Sequence, residues 1–372
     1  MRKNIILLIL FSLVSCKQDI PTDNMIAVDL DKPEKASLFD YFSSIELIPL
    51  ETSDDCLVAR ISKIINHQDK FYVFDIRQSI IFVFDQSGNF IFKIAKKGQG
   101  PGEYSFIQDF NINPFSGNLE LLEPYGSVHI YDLSGNYIES KRIGYDGFQA
   151  VHMFAPVDSA IHVFYAMFQH KKIIYFDLDK RELLHEEFEE NRDLSYYGYK
   201  NLYQYKDDWY FFRPYHPVVY KLGKNRLEPS FQFDFGSYTR EGLTAYFSDE
   251  SKNSRSKFVE ESFAQFPYVL LTERHNNQYI FTTLLWRNEN QRVNMVFDKT
   301  KEKAKFIPEF AEQVSFDPDI ITDDFILKIC HRDELEQFLN VNMLNDKQKE
   351  IFESLVSSDM ETNPIILKYR FK

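Results

Sequence analysis

Few residues in this sequence combine the types and the spacing that catalysis requires. His152 could act as a general base or a metal ligand, with His162 ten positions further on, but we favour a structural role for it. The carboxylate pairs Asp54–Asp55 and Asp323–Asp324 lie where strands are predicted to begin, so we interpret them as turn or solvated residues. The motifs G-x-S-x-G and H-E-x-x-H and the C-x-x-C spacing do not occur. We therefore predict no catalytic residue, no metal site and no cofactor.

A glycine-rich segment, Lys97-Gly-Gln-Gly-Pro-Gly-Glu-Tyr104, is the one stretch that could cradle a phosphate. It lacks the Lys-Ser/Thr ending and the following helix that a phosphate-binding loop needs. Its glycines permit a tight turn and a close approach to neighbouring backbone. Pro101 would make that turn rigid, and Glu103 could accept hydrogen bonds from its backbone. We predict a structural role for this segment.

The first residues predict export and lipid attachment. Arg2 and Lys3 precede the apolar stretch 5–14, which is too short to span a bilayer. The following Leu13-Val14-Ser15-Cys16 resembles a bacterial lipobox, in which cleavage occurs before a lipidated cysteine. We predict a signal peptide at 1–15, lipidation of Cys16, a tether at 16–40 and an outer-membrane lipoprotein of the bacterial cell envelope. An ordinary secretory signal is the alternative.

Two further cysteines, Cys56 and Cys330, remain in the exported chain. An oxidising compartment permits a disulfide between them, and a closed ring could bring them together. We favour two small buried thiols over that disulfide.

The charge of the chain limits its partners. Its formal net charge is −13, which argues against the basic surface that nucleic acid binding needs. It also argues against attraction to anionic lipid, so contact with a membrane would depend on the lipid at Cys16. We expect a monomer.

A repeated hairpin predicts the architecture. Asp85-x-Ser-Gly-Asn89 recurs 47 residues later as Asp132-x-Ser-Gly-Asn136, each time between alternating apolar residues. The Phe and Tyr content, 36 and 22 residues, also favours strands. A repeat of this length made only of strands is the size of one four-stranded propeller blade.

Weaker copies of the repeat continue along the chain. They predict an all-β protein with six blades over residues 41–372, with a small helical insertion at about 238–264 and a C-terminal helical segment. Strand 45–50 is left over at one end, so we predict that it joins strand 365–371 and closes the ring. Between these elements, Asp317-Pro-Asp319 is interpreted as a turn, and the aromatic run 207–212 as mostly core with the alternative of stacking on sugar rings.

In this arrangement, the glycine-rich segment connects the first two blades, where it resembles the G-x-G-P-G-x-(F/Y) phrase of NHL-type repeats. Together with Ile48-Pro-Leu-Glu51, the Asp85 turn and Asn363-Pro-Ile-Ile-Leu-Lys368, it makes the chain similar to the six-bladed β-propeller lipoproteins common in Bacteroidetes. The likeness is strong in blades one and two and faint in the others. That family is defined by its fold, so the resemblance implies architecture and location but no reaction.

A propeller offers one natural place for a site, which is its central channel. The predicted innermost strands supply Lys63, Asp109, His152, Tyr203 and Arg274 as candidate binding residues. We favour a non-catalytic module that binds a protein, a peptide or a glycan. The alternative is a metal-dependent hydrolase or lyase, which would need three or more convergent carboxylates or histidines. A third alternative, a structural scaffold of the envelope, would lack a pocket.

Overall fold

The strands form six small sheets arranged in a ring, which confirms the predicted six-bladed β-propeller. The computed structural model describes residues 24–144, 150–166, 171–189, 200–214, 216–238, 268–287, 291–357 and 362–372. The predicted signal peptide, Cys16 and, apart from Tyr238, the predicted insertion at 238–264 lie outside these residues.

Blades 1 to 3 are four-stranded antiparallel meanders in chain order. Blade 1 contains β3–β6 (Ile61–His67, Lys70–Asp75, Ile80–Asp85 and Phe90–Ile94). Blade 2 contains β7–β10 (Asp109–Ile112, Leu119–Glu123, Ser127–Tyr131 and Tyr137–Arg142). Blade 3 contains β11–β14 (Met153–Pro156, Ile161–Tyr165, Lys171–Asp177 and Glu182–Glu189).

Blades 4 to 6 follow the same plan, with one addition at blade 4 and one exchange at blade 6. Blade 4 contains β15–β18 (Leu202–Tyr205, Asp208–Phe212, Val218–Leu222 and Leu227–Asp234), to which β1 (Met25–Ala27) is added. Blade 5 contains β19–β22 (Tyr268–His275, Tyr279–Trp286, Arg292–Asp298 and Lys303–Ile307). Blade 6 contains β23–β25 (Ile320–Ile321, Phe325–Cys330 and Ile365–Phe371) and, as its outermost strand, β2 (Phe42–Pro49).

Many of the aromatic side chains pack between adjacent blades. Middle strands such as β4 are buried on both faces, so that adjacent residues, Phe71, Tyr72 and Phe74 among them, are fully covered. Outer strands such as β10 are largely exposed. The central strands therefore need apolar residues on both faces, which Phe, Tyr and Val supply in extended backbone.

The repeated Asp-x-Ser-Gly-Asn turns have the same geometry in blades 1 and 2. Asp85 accepts hydrogen bonds from the backbone N–H groups of Ser87 (2.8 Å) and Asn89 (2.9 Å), and Asp132 accepts the matching pair at the same two distances. Gly88 has φ +87°, a conformation that disfavours residues with a Cβ. The side-chain amide of Asn89, followed by the backbone donors, lowers the pKa of Asp85.

The glycine-rich segment forms the connection between blades 1 and 2, as predicted. Gly98 N donates to the Tyr104 carbonyl (2.9 Å), and Glu103 Oε2 accepts from Gly100 N (2.8 Å). Gly102 has φ +75°, and a Cβ there would lie 2.6 Å from the Tyr137 ring. These contacts explain the glycines without a ligand.

The ring closes where the sequence predicts. β2 pairs antiparallel with β25, with Ile45 opposite Tyr369 and Ile48 opposite Ile366. Asn363 ties this closure to blade 1, because its Oδ1 accepts from Val58 N (2.9 Å) and its Nδ2 donates to the Glu51 carbonyl (2.5 Å).

The segment before the ring differs from the predicted tether at 16–40. Residues 24–40 lie on the propeller rather than away from it. β1 pairs parallel with β18, and Val28 N donates to the Asp234 carbonyl (2.8 Å). Ile26, Val28 and Leu30 are buried in the cluster between blades 4 and 5. The packed part of the chain therefore begins before residue 41, because alternating apolar residues in this otherwise polar segment cover the edge of blade 4.

The predicted C-terminal helical segment is present between β24 and β25. It contains helices α1 (Leu335–Phe338) and α2 (Asp346–Ser357), with 3-10 turns at Arg332–Glu334 and Val341–Met343. Cys56 and Cys330 are buried free thiols, as favoured from the sequence. Within the part of the chain that the structure describes, no helix combines the length and the apolar character needed to cross a membrane.

Candidate functional site

A cavity of about 760 Å³ lies on the axis of the propeller. Its lining comes mainly from the innermost strands of all six blades and the segments that precede them, with further residues from β16, β24 and the turn at Arg332–Glu334. The volume falls in the range of pockets that take small molecules. Six cationic side chains and four carboxylates line it, although the chain as a whole has an excess of acidic residues.

One side of the cavity is built around Lys63 of β3. Its Nζ donates to Asp109 Oδ1 (2.9 Å) and to Asn111 Oδ1 (2.7 Å), both from β7 in the next blade. Asp109 Oδ2 also accepts from Phe154 N (3.1 Å) in blade 3. Burial lowers the pKa of Lys63 and raises that of Asp109, and the attraction between the two charges opposes both shifts. This group joins three blades and leaves the Lys63 side chain 21% exposed.

The opposite side is an ion-pair network between blades 4 and 6. Lys200 Nζ lies 2.8 Å from Asp317 Oδ2 and 2.9 Å from Asp319 Oδ1. Lys328 Nζ lies 3.5 Å and 3.7 Å from the same two carboxyl groups. Burial alone would raise the pKa of both aspartates, but the two lysines outweigh it and lower the pKa. The two carboxylates are therefore held ionised, each between lysines.

Arg274 of β19 lies beside this network and is 5% exposed. Its Nε donates to the Asp319 carbonyl (3.0 Å), and its Nη1 donates to the carbonyls of Lys200 (3.0 Å) and Glu273 (2.7 Å). The guanidinium carbon lies 4.7 Å from the centre of the Tyr203 ring. Burial lowers the pKa of Arg274.

Tyr203 also belongs to a buried polar group between blades 4 and 5. Its hydroxyl donates to Glu273 Oε2 and lies 2.6 Å from His275 Nδ1. Burial, followed by the Glu273 charge, raises the pKa of Tyr203 well above its ordinary value. His275 is enclosed by aromatic rings, with Tyr210 at 4.3 Å between ring centres. We assign this group to the interface between the blades.

The structure brings all five candidate channel residues to the same cavity. Lys63, Asp109, His152, Tyr203 and Arg274 each line it. His162, by contrast, points into the interface of blades 2 and 3, where its Nε2 lies 2.8 Å from Glu120 Oε2. Cys16 lies outside the described residues.

Sequence reasoning missed several residues of the cavity. Lys200, Asp319 and Lys328 line it, together with Trp209. Asp317-Pro-Asp319 precedes a strand, as expected for the predicted turn. Its two carboxylates, however, contact Lys200 inside the ring. The aromatic run 207–212 is mostly core, as predicted, and its Trp209 is 3% exposed. Side chains alternate between the two faces of a strand, and this alternation along β16 was the signal that could have placed Trp209 inward.

Metal-ligating side chains do not cluster in the described part of the chain. No group of three or more His, Cys, Asp or Glu residues there has a geometry that could hold an ion.

Known structures of low sequence identity share this fold. The chain aligns with the "Putative exported protein (BF0058)" of Bacteroides fragilis at a TM-score of 0.73 and 15% identity, over 94% of this chain and 99% of the other. It aligns with a member of the DUF4221 family from Bacteroides vulgatus at a TM-score of 0.50 and 9% identity, over 89% and 97% of the two chains. No curated protein matches the sequence. A family model matches residues 23–370, and the chain therefore belongs to the family described as a domain of unknown function, DUF4934.

Proposed function

We propose that this protein is a non-catalytic binding module of the bacterial cell envelope whose ligand enters the central cavity. The observation that carries the proposal is the cavity of about 760 Å³, to which all six blades contribute polar side chains. A concave pocket of this volume with convergent polar groups is a usual place for a small-ligand site. Its size suits a short peptide, a sugar or one terminus of a larger chain.

The charge arrangement supports binding over metal-dependent hydrolysis or lysis. Asp317 and Asp319 are each in contact with Lys200 and Lys328, and Asp109 is bonded to Lys63. The lysine partners would compete with a metal ion for the oxygens of these three carboxylates.

Anchoring through Cys16 is part of the same proposal. The lipobox-like Leu13-Val14-Ser15-Cys16 supports it. Labelled palmitate supplied to cells that express the protein should be incorporated, and Cys16→Ser should abolish the label. Equal labelling of Cys16→Ser would rule out the anchor.

Native mass spectrometry of the protein purified from its own envelope tests the binding function. We expect a mass increment on the folded protein that is lost on denaturation. A variant that fills the cavity, Gln204→Trp on the innermost strand β15, should lack the increment, while Asn118→Trp in the exposed β7–β8 turn should keep it. Stoichiometric calcium or zinc in the same sample would instead favour the enzyme, and an increment retained by Gln204→Trp would contradict binding in the cavity.

A further inference from the structure

Two side chains that line the cavity each carry a hydrogen-bond donor without a partner among the described residues. Nη2 of Arg274 donates to none of them, although Nε and Nη1 of the same guanidinium are bonded. The indole Nε1 of Trp209 is also without a hydrogen-bond partner. Both side chains are more than nine-tenths buried. Polar groups on buried side chains are normally satisfied. Nη2 of Arg274, unlike Nε1 of Trp209, is not fully covered by protein, so it is the donor that an acceptor in the cavity would reach.

The charge balance indicates the type of acceptor. Three lysines that also line the cavity, Lys63, Lys200 and Lys328, each lie within ion-pair distance of an aspartate. Arg274 has no described carboxylate within that distance, and its bonded donors reach only backbone carbonyls. The charges of Glu273, Asp319 and Asp317 act on Arg274 only from beyond ion-pair distance. The guanidinium therefore has no carboxylate in direct contact, and one negative charge on the ligand would take that place.

The groups concerned lie close to one another across the channel. Lys63 Nζ is 5.8 Å from the centre of the Trp209 ring. Burial is the main cause that lowers the pKa of Lys63, and the positive charge of Arg274 adds to it. An anion near Trp209 would therefore be attracted by both cations.

We propose that the central cavity recognises a small ligand through one carboxylate group, held by Arg274 and Lys63 beside the Trp209 ring. A carboxylate brings the contacting negative charge that Arg274 lacks and an oxygen acceptor for its unpartnered Nη2. The proposal rests on the proposed function and specifies its ligand class. The carboxylate could belong to an acidic sugar or to an acidic peptide.

Tryptophan fluorescence offers a direct test, because the chain has only two tryptophans. Trp286 packs on Phe306 away from the cavity, so Trp286→Phe leaves Trp209 as the sole reporter. We expect iodide to quench Trp209 at least about three times as strongly as caesium does. The measurement uses the full-length, detergent-solubilised protein at constant ionic strength. The net charge of −13 would produce the opposite preference on the outer surface. Glucuronate or N-acetyl-glutamyl-glutamate amide should protect Trp209 from iodide, and glucose and N-acetyl-glutaminyl-glutamine amide should not.

Matched variants complete the test. Arg274→Gln and Lys63→Met should each reduce the iodide preference, and Lys303→Met on the outer strand β22 should leave it unchanged. Protection by glucuronate alone assigns the carboxylate to a sugar, and protection by the dipeptide alone assigns it to a peptide. The proposal is overturned if Trp209 shows no preference for iodide over caesium, or if Lys63→Met shows the same preference as the protein with Lys63. It is also overturned if neither acid protects Trp209. Protection by the neutral compounds without an iodide preference would overturn carboxylate recognition and leave the binding function intact.

Discussion

At the scale of single residues, the inner face of the propeller is held by charges that lie far apart in the sequence. Asp319 contacts Lys200 and Lys328 and accepts a hydrogen bond from Ile329 N (2.8 Å). Asp319→Asn keeps the acceptor and the shape but removes the charge. We expect it to lower the free energy of unfolding by about 2 kcal/mol, because it leaves the buried Lys328 and the partly exposed Lys200 with one counter-ion fewer. Urea denaturation measures this, with Glu46→Gln as a control.

The control removes a carboxylate from an exposed pair, Glu46–Arg370, whose side chains are 41% and 49% exposed. Such pairs contribute about 0–1 kcal/mol. Equal effects of the two variants would show that the inner network does not stabilise the ring.

The same aspartates predict a response to acid. Burial opposes ionisation of Asp317 and Asp319, but the lysines dominate and hold the pKa of both below the ordinary value of 3.8. The folded state therefore binds fewer protons than the unfolded state at these groups. Their contribution to stability is complete above about pH 5 and is lost as the pH falls below about 4. Thermal unfolding of the wild type should show this loss, and Asp317→Asn/Asp319→Asn should have a flatter profile over that range. Parallel profiles would exclude these two groups as its cause.

At the scale of elements, β1 pairs with β18, the outer strand of blade 4, and covers its edge. Among the described residues, the other five blades have no fifth strand. Ile26 is 5% exposed in the cluster between blades 4 and 5, whereas Ile91 on the outer strand β6 is 44% exposed. We expect Ile26→Ala to lower the free energy of unfolding by about 2 kcal/mol and Ile91→Ala to change it by less than about 0.5 kcal/mol. Hydrogen exchange should become faster in the peptide 227–234 only in Ile26→Ala. Unchanged exchange there would mean that β1 does not protect β18.

The blades could be predicted from the sequence because their signals are local. The Asp85 and Asp132 turns carry their own hydrogen bonds, and each blade is a meander of neighbouring strands. The ion-pair network could not be predicted in this way, since Lys200 and Asp317 are 117 positions apart and meet only in the closed ring. The packing of β1 was missed because its short apolar alternation lies in a polar segment that resembles a tether.

At the scale of the whole molecule, the ring depends on a single closure between β2 and β25. Glu46 lies opposite Lys368 in that pairing, and Ser127 lies opposite Arg142 in the hairpin of β9 and β10. A disulfide at each pair has similar local geometry, since opposed residues have adjacent Cβ atoms. Their loops differ greatly, with roughly 320 residues closed by the first and roughly 15 by the second.

If the ring unfolds as one unit, Glu46→Cys/Lys368→Cys should stabilise the oxidised protein by about 5 kcal/mol, and Ser127→Cys/Arg142→Cys by about 3 kcal/mol. The loss of the exposed Glu46–Arg370 pair changes this little. Chemical denaturation of oxidised and reduced samples measures both effects, with the reduced samples as internal controls. A ring whose blades unfold independently would gain no more from the first disulfide than from the second, because opening one blade would not require opening the closure.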